Sequence, residues 1–154
     1  HELLAPQNAI INTETPLSPL SVACIFVILC TIMMIISNRK HKMYWIWDTI
    51  LMLAAGLIGI IYFMMLFSQH PCVSLNVIIC FFNPLPLFFL YKTIKKTRRQ
   101  EANIWWKIWG SLIILGFIGA FFQRIPTAVL IVALFLLLHC VLHIRLDRPV
   151  RKYN

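Results

Sequence analysis

The basic residues of this chain collect in the breaks between its hydrophobic stretches, and they favour alternate breaks. Arg39, Lys40 and Lys42 fill the first break. Lys92, Lys95, Lys96, Arg98 and Arg99 fill the third, with Lys107 just beyond it, and Arg145, Arg148, Arg151 and Lys152 form the tail. Thirteen of the 14 Lys and Arg residues are placed this way; Arg124 is the exception, and the first 38 residues hold none. Lys and Arg accumulate on the cytoplasmic side of a membrane. The pattern predicts a multi-pass membrane protein with its start outside and its tail in the cytoplasm.

Composition agrees. Hydrophobic residues make up 60% and charged residues 12%, against roughly 25% charged in a soluble domain. Five spans leave almost none of the 154 residues for a soluble domain. The net charge of +9 raises the question of nucleic acid. Its confinement to the flanks of apolar segments instead indicates topology and anionic headgroups, and there is no nucleic-acid motif or Gly-rich phosphate loop. Membrane lipids are the expected partners, with no nucleic acid and no cofactor. Cys24, Cys30, Cys80 and Cys140 lie in apolar spans and read as small apolar residues; Cys72 stands alone in a loop, so no disulfide framework is expected.

The expected fold is an all-α bundle of five transmembrane helices. Residues 1–16, with Pro6, Asn8, Asn12 and Pro16, read as an external linker; residues 17–146 form the five-helix domain and 147–154 a basic cytoplasmic tail. The chain opens at His1, and export of an outside N-terminus needs a signal. An upstream piece, a signal segment with an external domain, is therefore expected. The first span runs from about Pro19 to Ile36, with Ser18 as N-cap and Pro19 in the first helical position. The second runs from about Tyr44 to Phe67. Tyr44, Trp45 and Trp47 are interfacial anchors at its start, and Ala55 and Gly59 admit a close neighbour. The third, about Leu75 to Tyr91, contains Asn83-Pro84-Leu85-Pro86. Each proline removes a helical hydrogen bond, so Pro84 and Pro86 break this helix, and the freed carbonyls need partners inside the bundle. The fourth span, about Ile104 to Phe122, is anchored by Trp105, Trp106 and Trp109 and carries a second small-residue ridge at Gly116 and Ala120; the fifth runs from about Thr127 to Ile144. No internal repeat points to a transporter.

Few polar residues are placed to carry chemistry. His70, beside Ser68, Gln69 and Asn76 at the outer surface, can act as a general base or orient a headgroup because imidazole titrates near neutrality; it can equally close the second helix. Asn83 at mid-membrane needs a hydrogen bond, either to a ligand or to the carbonyls the prolines free. Arg124 can clamp a phosphate or carboxylate, or snorkel to headgroups. Asp48, in the first turns of the second helix, is a structural carboxylate favoured by the helix dipole and by Lys42 or Lys107. His139 and His143 share a helical face, but two ligands do not make a zinc site, so no metal is expected. His70 is the one catalytic candidate, and no complete catalytic set is present.

The stretch Phe67-Ser68-Gln69-His70-Pro71, then Asn76, then Asn83-Pro84-Leu85 resembles the C-terminal membrane region of a family of bacterial inner-membrane proteins. These carry an external papain-like cysteine-hydrolase domain and are linked to lipoprotein N-acyl transfer. His70, Asn76 and Asn83 match the family pattern, Asp48 with Gly56 or Gly59 fits a D…G-x-x-G element, and Leu3-Leu4-Ala5-Pro6 resembles the junction after the external domain. Val77 and Ile78 stand where the family often has Trp and Asn. The resemblance implies a multi-pass inner-membrane protein with a periplasmic N-terminus. This region would anchor an acyltransferase and receive lipid through Ser68, His70, Asn76, Asn83 and Arg124; the nucleophile would lie in the external domain, and lipoproteins would be partners. The alternatives are a non-enzymatic scaffold or partner-binding subunit and, since only Asn83 lies deep, less readily a small transporter.

Overall fold

A computed structural model describes residues 18–67 and 77–146, and among them all regular structure is helical. The helices are α1 (Pro19–Lys40), α2 (Trp45–Met65), α3 (Ile78–Phe81), α4 (Leu85–Arg98), α5 (Trp105–Gly119) and α6 (Thr127–Leu146). Helices α3 and α4 are the two halves of the third span, so six helices make five crossings. α1, α2, the 78–98 segment and α6 are each long and apolar enough to cross a membrane, and α5 is a shorter apolar helix. The exposed Phe121 and Phe122 in the turn after α5 lengthen its apolar surface. Helix α2 packs against α3 and α4, α1 against α6, and α5 against α3 and α6. The expected linker 1–16 and tail 147–154 lie outside the described residues.

Local sequence explains the helix ends. The Ser18 hydroxyl accepts the Ser21 N–H at 3.1 Å, and Pro19 opens α1 where a missing N–H costs nothing. At the other end His41 turns left-handed (φ 47°) and the Lys42 N–H closes on the Ser37 carbonyl at 3.2 Å, as in a Schellman termination. Helix α4 ends in the same way: Gln100 has φ 54° and the Glu101 N–H reaches the Lys96 carbonyl at 3.0 Å. It runs to Arg98, past the Tyr91 expected from hydropathy. Lys and Arg are good helix formers and are favoured at the negative end of the dipole. Gln100 also joins the two basic-end turns. Its Oε1 accepts from the Met43 N–H and its Nε2 donates to the Met43 carbonyl, both at 2.9 Å.

The third span breaks where the prolines require it. Phe82 is extended (φ −117°, ψ 103°), and Pro84 and Pro86 occupy the start of α4, where the first N–H groups have no helical partner in any case. Asn83 is buried. Its Oδ1 accepts from the Leu85 N–H at 3.2 Å, so it repairs the break from the acceptor side and not by donating to freed carbonyls. The Phe81 carbonyl at the end of α3 accepts from the Trp109 indole at 3.4 Å. Trp105, Trp106 and Trp109 are fully buried and form the core instead of an interfacial anchor. A 15-residue α5 places all three within its first two turns, facing α4 and α6.

Gly59 is what lets the broken backbone pass. A methyl group there would overlap the carbonyl carbon and oxygen of Asn83. At Gly110 the nearest atoms to such a methyl are Cys140 Cβ at 3.5 Å and Leu137 Cδ1 at 3.9 Å, which is ordinary contact. Gly59→Ala should therefore lower stability by about 1–3 kcal/mol, since a backbone neighbour cannot yield. Gly110→Ala should be neutral or gain up to about 1 kcal/mol from helix propensity. Unfolding midpoints of the two variants in detergent check this; equal midpoints would contradict the close approach.

Candidate functional site

The most concentrated polar chemistry in the described residues is buried at the basic end of the bundle. α2 begins there and α6 ends there, so the first turn of one lies level with the last turns of the other. His139 and His143, four apart on α6, share a face, and both direct Nε2 at Asp48 Oδ1 on α2, each at 2.9 Å. All three residues are buried, Asp48 completely. A carboxylate taken out of water costs several kcal/mol unless paired and hydrogen-bonded. Here two imidazoles supply that, each with its Nε2–H donating to the carboxylate. The other carboxylate oxygen, Oδ2, and His139 Nδ1 are buried without a partner among the described residues. The Lys partners expected for Asp48 are not the ones it finds. Asp48 points into the bundle, whereas Lys42 and Lys107 are exposed.

Aromatic packing holds the imidazoles in place. Trp106 stacks on His143 at 3.9 Å with an interplanar angle of 14°, and meets His139 edge-on at 5.3 Å and 81°. The two imidazole planes are consequently near-perpendicular, at 79°. Stacking continues through Trp109 and Trp105 to Phe89, linking α6 to α4 across α5. Beside it the Asn103 amide donates to Thr93 Oγ1 at 3.0 Å and accepts from the Trp105 N–H at 3.2 Å, fixing where α5 starts. Chemically, two imidazoles and a carboxylate converging on one point can share protons or hold a cation.

Of the residues singled out from sequence for substrate or lipid contact, only Asn83 and Arg124 fall among those the structure describes. Ser68, His70 and Asn76 lie outside the described residues. Asn83 is buried at the break, with Nδ2 unpartnered among the described residues. Arg124 is exposed in the turn between α5 and α6. A residue that sequence reasoning passed over organises that region: Gln123 Oε1 accepts the Val77 N–H at 2.9 Å, holding the start of the third span against the turn that carries Arg124. Its only sequence signal was a polar amide between apolar spans. His139, His143 and Asp48 were each noticed, but separations of 91 and 95 residues gave no sign that they meet.

Residues 11–149 match the family model described as the Lnb transmembrane domain, a domain of five transmembrane helices, and the chain belongs to that family. No curated protein and no solved structure matches it.

The triad makes a stability prediction. Asp48→Leu leaves two buried imidazole N–H groups without an acceptor and should cost about 1–3 kcal/mol for each group stranded. Asp48→Asn, which keeps an acceptor oxygen, should cost less. Replacing all three residues with Leu should recover part of the loss, because nothing polar is then left unpaired. Thermal unfolding of the four proteins in one detergent measures the order; a triple variant no more stable than Asp48→Leu would show that the three residues do not act together.

Proposed function

We propose that this chain is the membrane domain of a bacterial inner-membrane acyltransferase that moves an acyl group from a phospholipid to the N-terminal amine of a lipoprotein. The observation that carries this is the family match over 11–149, together with the His70, Asn76 and Asn83 motif. In this reading an upstream external papain-like domain supplies the thiol nucleophile, and the five helices anchor it and deliver lipid to it.

Two features of the bundle suit that role. An apolar groove of about 430 Å³ runs between α1, α2 and α6 and is lined by Val22, Ile58, Tyr62, Phe82 and Val132; it begins near Pro19 and Ala128, at the end opposite the basic residues. A second apolar cavity of about 290 Å³, lined by Phe26, Leu51, Ala55 and Leu136, continues it inward. An acyl chain fits such walls, with its headgroup left at the end where Arg124 is exposed. The Gln123–Val77 hydrogen bond ties the start of the third span to that turn. His70 and Asn76 then hold the ester or headgroup by hydrogen bonds, and Arg124 pairs with the phosphate. The basic residues place the opposite end in the cytoplasm.

Orientation is tested by cysteine labelling in a cysteine-free background. A thiol at position 124 should react in intact cells, and one at 99 only after the inner membrane is permeabilised; external labelling at 99 would reverse the topology. The chemistry is tested in the full-length protein. His70→Ala should reduce lipoprotein N-acylation in membranes at least about tenfold, the scale of about 1.4 kcal/mol in the barrier, with protein level and unfolding midpoint unchanged. Normal acylation would leave His70 only a role in closing the second span. Absence of N-acylation by the wild-type protein would favour a non-enzymatic scaffold.

A further inference from the structure

We infer that Asp48, His139 and His143 form a binding site for a divalent transition-metal ion, with zinc as the ion its donors suit best, at the basic end of the bundle. This is independent of the acyl-transfer reading, which rests on other residues.

The geometry is that of a ligand set. Asp48 Oδ1, His139 Nε2 and His143 Nε2 all lie within 4.8 Å of one another, and the carboxylate oxygen is 2.9 Å from each nitrogen. Tetrahedral zinc with bonds of about 2.0–2.1 Å separates its ligand atoms by roughly 3.3 Å, so an ion enters if the carboxylate oxygen parts from each nitrogen by a few tenths of an ångström and the two nitrogens, within 4.8 Å of each other, settle to the same spacing. Donor chemistry selects the ion. Two imidazoles and one carboxylate suit zinc or iron, whereas magnesium and calcium take all-oxygen shells. On binding, each neutral ring carries its proton on Nδ1 and turns the Nε2 lone pair to the ion, so no net proton has to leave.

A hydrogen-bonded triad alone does not account for the arrangement. Both donors crowd onto one carboxylate oxygen while the other, Oδ2, is buried and unpartnered among the described residues. Each carboxylate oxygen can accept two N–H groups, so Oδ1 alone serves both rings and Oδ2 is left unused. Convergence on a single point with a spare oxygen beside it leaves Oδ2, or a water, for the fourth position. Cys140, next to His139 in the chain, is not one of the groups that converge there. Trp106, stacked on one ring and edge-on to the other, holds the imidazoles in near-perpendicular planes before any ion arrives. The site also lies near one end of the described bundle. Asp48 is the fourth residue of α2 and His143 the fourth from the end of α6, about one helical turn, roughly 5 Å, from the end of the bundle.

The test is metal analysis of the full-length protein purified in detergent, before and after stripping with a chelator and reloading with zinc. Wild type should carry about one zinc per chain, and its unfolding midpoint should fall on chelation and return on reloading. His139→Gln and His143→Gln, which can still hydrogen-bond Asp48, should each lose zinc at least about tenfold, whereas His41→Ala, an exposed histidine, should not. Iron found in place of zinc and lost in the same variants would support the site and correct the ion. Folded, zinc-incubated wild type with less than about a tenth of an ion per chain would overturn the proposal and leave a proton-sharing triad. Zinc retained by the His139→Gln/His143→Gln double variant would overturn it too. Should the variants fail to fold, cobalt-loaded wild type decides: tetrahedral ligand-field absorption supports the site, and the spectrum of aqueous cobalt overturns it.

Discussion

A polar group inside a bilayer has no water to fall back on. An unsatisfied N–H or C=O there costs several kcal/mol, and much of the bundle is arranged around that constraint. The third span carries two prolines, so its helix stops at Phe81 and restarts at Leu85. The Asn83 side chain caps the new start, and the Trp109 indole takes the Phe81 carbonyl. Both partners must be close, which requires α2 to approach at Gly59, where no side chain fits, and α5 at Gly116, where a methyl group would meet the Phe81 ring at 2.6 Å. Small residues in the neighbours and prolines in the span are thus two parts of one solution.

The two ends of the bundle solve different problems. The basic end is closed by side chains: Gln100 joins the α1–α2 and α4–α5 turns through Met43, Asn103 joins α4 to α5, and Asp48 holds α6 to α2 through two imidazoles. At the opposite end the Gln123 amide oxygen accepts the Val77 N–H across segments, and apolar grooves open between α1, α2 and α6.

The sequence-derived site and the buried triad were legible to different degrees. Arg124 and Asn83 stood out because a lone charge or amide among apolar residues is conspicuous, and a family motif marked His70 and Asn76. The triad did not stand out. His139 and His143 could be placed on one face from their spacing, but Asp48 was assigned to nearby lysines because its partners lie some ninety residues away. The tryptophans of α5 were read as interfacial for a similar reason. Their position at the start of a span is visible in sequence, whereas the direction in which they point depends on the helices around them.

What the sequence determined by itself was whatever depends on local composition. Five apolar segments, the helix start at Ser18-Pro19 and the break at Asn83-Pro84 follow from the length of a hydrophobic run, a cap and a missing N–H, and each acts within a few residues. Tertiary structure alone decided which helix faces which, that α4 continues to Arg98, that Trp106 stacks on His143, and that Asp48 meets both histidines. Apolar side chains are nearly as content in lipid as in a protein core, so hydrophobicity does not orient helices here. Orientation falls to the few polar groups that must find one another and to the glycines that let backbones approach, and both act between residues far apart in the chain.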